Sequence, residues 1–122
     1  MLNSYLNHIF RTYLEKERLL ITMNNFTIMG TLDSVFPLEE TSSGIKVINF
    51  IVSVEHSIKS NQTFDQFKVM AFGALAEGIA SKIPVGSSIL VKGHLQANNY
   101  CSDEKNDYLV ELLADEVRFI SK

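Results

Sequence analysis

Between Phe67 and Ala97 the chain reads FKVMAFGALAEGIASKIPVGSSILVKGHLQA, and the spacing of its apolar residues changes twice within that stretch. Phe67, Val69 and Ala71 alternate with Lys68, Met70 and Phe72, the two-residue period of a strand with one wet face. Leu75, Ala76, Ile79 and Ala80 then recur at helical spacing, for about two or three turns closed by Pro84 and Gly86. Alternation returns with Val91, Leu95 and Ala97 expected inward and Lys92, His94, Gln96, Asn98 and Tyr100 outward. The outward rows of both strands carry aromatic and basic side chains.

The same alternation marks three more strands. In FTIMGTL, Phe26, Ile28, Gly30 and Leu32 share a face, and a glycine inside a strand predicts a bulge or a close backbone approach. A polar loop follows through Glu39, Glu40, Thr41, Ser42, Ser43 and Gly44. In IKVINFIVSVEH, Ile48, Phe50, Val52 and Val54 form the apolar side, opposite Asn49, Ser53 and Glu55. Phe64 and Gln66 extend the outward row of Lys68, Met70 and Phe72, and YLVELLADEVRFI supplies a last strand after the polar tip CSDEKND. Five strands with a helix between the third and fourth is the order of an OB-fold, a small Greek-key barrel. The expected class is therefore all-β.

The first residues follow another rule. Leu2, Tyr5, Leu6, Ile9, Phe10, Tyr13 and Leu14 form one helical stripe, with Asn7, Arg11, Glu15 and Arg18 on the other side. An amphipathic helical extension is expected over 1–23, with the barrel over 24–122. Two readings of that helix stay open: docking onto a partner or second subunit, or packing on its own domain. Met23, in MNNFTIMG, also looks like a natural chain start. No unbroken apolar run or small-residue cleavage site marks a signal peptide, and no stretch approaches the roughly 20 apolar residues of a membrane span.

Catalysis is not expected. His8, His56, His94 and Cys101 are too scattered for a metal-ligand spacing. No GxSxG, GxxxxGK or GxGxxG is present. Asp103, Glu104 and Asp107 read as a solvated hairpin tip, and neither a cofactor nor a small-molecule substrate is implied. The single cysteine, Cys101, forms no intrachain disulfide, which points to a reducing cytoplasm.

From Asn24 to Ile120 the chain resembles the bacterial single-stranded DNA-binding protein family, over about four fifths of its length. The resemblance is carried by IMGTL, by FKVMAFGALAEGIASKIPVGSSILVKGHL and by NNYCSDEKNDYLVEL. It implies binding of single-stranded DNA with little sequence preference, protection of that strand during replication, repair or recombination, and a homo-oligomer, tetramer or dimer, in the cytoplasm with the nucleoid. Bases stack on aromatic rings while cations follow the phosphates. By the resemblance, Phe72 and Tyr100 stack bases, Phe64 adds a third ring, and Lys68, Lys92 and Lys59 contact phosphates. Each position also fits a plainer role: Phe72 an interface or core, Tyr100 an edge tyrosine, the lysines a solvated face.

The chain departs from the family in several places. It has no tryptophan, and Ile58 and Gln66 stand where two family rings are expected, so weaker stacking follows. Asn98 and Asn99 replace basic residues, and Glu55 points to the binding face. Residues 24–122 carry 8 basic and 12 acidic side chains, against a net charge of −3 for the whole chain. The acidic C-terminal tail of the family has no counterpart before RFISK, so tail-mediated recruitment of enzymes is not implied. The alternative from a different class is an OB-fold protein-interaction module, a replication or restart accessory subunit.

Overall fold

The structure, a computed structural model, describes residues 22–58, 61–101 and 106–122. The expected N-terminal helix, except for its last two positions, and Lys59 lie outside the described residues. In chain order the elements are β1 (Phe26–Val35), β2 (Glu39–Glu40), β3 (Lys46–Ile58), β4 (Asn61–Phe72), α1 (Gly73–Lys82), β5 (Ser88–Cys101) and β6 (Asn106–Ser121).

The sheet order β1-β5-β6-β4-β3 closes on itself because β1 also pairs with β3. Every neighbouring pair in this ring is antiparallel except β4 and β6, which meet in parallel through Val69↔Leu112 and Met70↔Leu113. The five long strands with a helix between the third and fourth are those expected from the alternation. Fully buried Leu32, Ile48, Phe50, Val52, Val69 and Val91 face one another across the barrel interior. Helix α1 packs beside β3, β4 and β6, burying Ala76 and Ile79, while Ala80 turns to solvent.

Two close backbone crossings require glycine. A Cβ at Gly30 would fall on the carbonyl oxygen of Ser53, and one at Gly93 on the carbonyl oxygen of Leu113. The close approach expected at Gly30 is thus what brings β1 over β3. Gly93 sits where β6 slips register between the partners of Lys92 and Gly93, which bends the β5–β6 wall.

The polar loop expected over Glu39–Gly44 contains a short strand. Glu39 and Glu40 pair with Val47 and Lys46, and Lys46 Nζ lies 3.1 Å from Glu40 Oε2. Gly44, at φ 89°, turns the chain and donates to Thr41 O at 2.9 Å. Two adjacent glutamates carry no apolar alternation, so the pairing leaves no periodic trace.

Leu95 and Ala97, expected inward, are exposed instead, Leu95 by 40%. Their parity is correct, but among the described residues no strand covers that side. Pairing of β1 with β5 stops at Phe26↔Gly93, and past it the β5–β6 arm leaves the barrel. The Asn24 side chain continues the ladder: its Nδ2 donates to Leu95 O at 2.6 Å, and Leu95 N donates to its Oδ1 at 2.9 Å.

Candidate nucleic-acid interface

The outer face of β3 and β4 follows from strand parity. Val69 and Ala71 enter the core with no exposure, which forces Phe64, Gln66, Lys68, Met70 and Phe72 outward. Phe64 is 59% exposed and Phe72 43%, and Lys68 is exposed midway between them. Eight residues of strand set the two rings about 26 Å apart along the row. Phe72 is also the residue preceding α1, held extended at φ −126° and ψ 155° before the chain turns at Gly73.

Across β3 the register places Glu55 opposite Phe64, Ser53 opposite Gln66, Ile51 opposite Lys68 and Val47 opposite Phe72. A hollow of about 300 Å³ is lined by Thr31, Asp33, Ser53, Phe64 and Gln66. Within it Gln66 Nε2 donates to Asp33 Oδ2 at 3.3 Å. On the opposite face of the same hairpin, Thr63 Oγ1 donates to His56 O at 3.0 Å, and His56 Nε2 lies 3.3 Å from Asp65 Oδ1. These contacts tie the strands together under Phe64.

Further along the row, Lys68 borders two more hollows, and Asn49 borders both with it. One, of about 220 Å³, is completed by Phe36, Pro37 and Glu39; the other, of about 100 Å³, by Met70, Val110, Glu111 and Leu112. Phe36 is 46% exposed, and its backbone N donates to Asn49 O at 2.9 Å. Neither Phe36 nor Asn49 is among the site residues expected from the sequence, although alternation does place Asn49 on the outer face of its strand. The alternation that would place Phe36 is reset by the register shift of β1 between Leu32 and Ser34.

The electrostatics of the face are uneven. Its Phe64 end carries the carboxylates Asp33 and Glu55, whereas its middle carries Lys68 together with Glu39 and Glu111, which border the same hollows. A polyanion crossing the face is attracted by Lys68, against the opposing charge of Glu39 and Glu111, and is repelled at the Phe64 end.

Not all the expected residues gather there. Phe64, Lys68 and Phe72 share the outer row of β4. Lys92 is exposed on the β1–β5–β6 wall, in register with Thr27 and Glu116, and is separated from β4 by β6. Tyr100 lies in β5 opposite Asp107 of β6, on the arm that extends past the barrel, and its side chain is outside the described residues. Among the described residues, no group of three His, Cys, Asp or Glu side chains is placed to hold a metal ion. Nor is any helix among them long and apolar enough to cross a membrane.

Comparison with known proteins gives a consistent result. The sequence pattern of the Single-strand binding protein family matches residues 23–120. Single-stranded DNA-binding protein 3 of Listeria innocua is 29% identical over 102 residues, covering 80% of this chain and 64% of that protein. The single-stranded DNA-binding protein of Oceanobacillus iheyensis is 28% identical, with 80% and 63% covered, and that of Bacillus cereus 30% identical, with 80% and 60% covered. The chain thus spans somewhat less than two thirds of the length of these relatives.

Proposed function

Because the chain belongs to the Single-strand binding protein family, we propose that it binds single-stranded DNA with little sequence preference, through the outer face of β3 and β4. One observation carries the reading: two exposed rings, Phe64 and Phe72, lie on either side of an exposed cation, Lys68, along a single strand. Rings accept any base by its flat face, and a cation between them meets the phosphates linking those bases. Lys92, Lys59 and Tyr100 extend the contact beyond this face. Neither catalysis nor a cofactor takes part.

In the cell such binding shields exposed strands during replication, repair or recombination in the cytoplasm. We further propose that copies assemble as a tetramer or dimer. Leu109, Phe119 and Ile120 on β6 and Met29 on β1 are exposed apolar side chains, which favours their burial between subunits.

Fluorescence anisotropy with labelled oligo(dT) and a duplex of equal length tests the binding. Oligo(dT) is expected to bind more tightly than duplex, with affinity falling as salt rises at a log–log slope near −0.7 per phosphate contacted. Asp33 and Glu55 beside Phe64 favour a second reading, a protein-interaction module. No binding of oligo(dT) at low salt would select it.

A further inference from the structure

Among the described residues, Asn49 Oδ1 is the one buried side-chain nitrogen or oxygen to which no hydrogen-bond partner is supplied. Such an orphan costs the fold stability, and native structures hold few of them. Asn49 is no core residue: it stands on the outer row of β3, opposite Met70, within the face assigned above to DNA. It borders the hollow of about 220 Å³ that includes the half-exposed Phe36, and the one of about 100 Å³ beside Met70. Lys68 borders both.

The geometry points to Asn49 as a base-contacting residue. A nucleobase seated against Phe36 places an N–H, such as the imino N–H of thymine, on Asn49 Oδ1 and supplies the missing donor. The flexible stem of Lys68 is the group that moves aside, its ammonium turning to the adjoining phosphate as the base enters. Phe36 supplies the flat surface, so the contact adds one hydrogen bond to a stack. This rests on the single-strand binding proposed above and deepens it: Asn49 touches the base, whereas Lys68 touches the backbone.

The account makes two opposite demands on Asn49→Leu, which replaces the orphan by an apolar group of similar shape. Without DNA the variant is expected to unfold at a higher temperature than the wild type. Its affinity for oligo(dT) of about 16 nucleotides, the upper end of what one such barrel covers, is expected to fall about threefold to tenfold. On an abasic strand of the same length, the two proteins are expected to bind equally. Asn49→Ala repeats the binding comparison if leucine does not fit the site. Unchanged affinity for oligo(dT) would overturn the assignment, as would an equal loss on the abasic strand. Failure of the wild type to bind either strand would instead remove the binding function itself.

Discussion

Glu55 and Phe64 stand directly opposite each other across β3 and β4, an exposed carboxylate beside the most exposed ring of the outer row. Since phosphates accompany any base that reaches Phe64, this pairing sets the strand's two attractions against each other. Glu55→Gln is expected to tighten oligo(dT) binding by about 0.5 kcal/mol at low salt, and the gain should fade as salt screens the charge. Anisotropy titrations at two salt concentrations read both effects. An equal gain at both would mean that repulsion is not its source.

The rings themselves are expected to contribute more. Stacking is worth about 1–3 kcal/mol per base by alanine substitution in proteins of this kind, so Phe72→Ala and Phe64→Ala should each weaken binding within that range. Both side chains are substantially exposed, and thermal unfolding of each variant should stay close to the wild type. A loss of stability without a loss of binding would place these rings in an interface rather than on DNA.

Lys68 acts through charge. Lys68→Met keeps much of the stem and removes the cation, so the log–log salt slope should become shallower by about 0.7, the value for one phosphate on a single strand. Lys92→Met provides the comparison from the β1–β5–β6 wall: its slope changes only if the strand continues past β6.

The barrel's weakest tolerance lies at its crossings. Because a Cβ at Gly93 meets the Leu113 carbonyl oxygen, Gly93→Ala must push β5 and β6 apart, at an expected cost of about 2–4 kcal/mol. Urea unfolding measures this. Asn24→Ala, which removes both hydrogen bonds to Leu95, is expected to cost about 1–2 kcal/mol, with faster hydrogen exchange at the Leu95 amide.

Most of the barrel was legible because one face of each strand must avoid water. That rule separates Val69 and Ala71 from Phe64, Lys68 and Phe72, and it makes Gly30 conspicuous as a gap in an apolar row. It fails where its premise fails. Leu95 and Ala97 keep their parity, but the arm they occupy has run past its partner strand, so among the described residues no core covers their inner side. Phe36 follows a register shift that resets the alternation. Lys92 and Lys68 look equivalent along the chain. Only the ring closure through β6 shows that they face different walls. Alternation places Asn49 on the outer face, but what distinguishes it there is a hydrogen bond that the fold leaves unmade, which has no trace in one dimension.

The central claim is that unpaired DNA lies along the outer row of β4, and backbone and aromatic chemical shifts followed during addition of oligo(dT) test it most directly. The account predicts that the largest changes run from Phe64 through Lys68 to Phe72, with Phe36 and Asn49 beside them. Changes confined to the β1–β5–β6 wall around Lys92, or to the groove between α1 and Phe119, would contradict it.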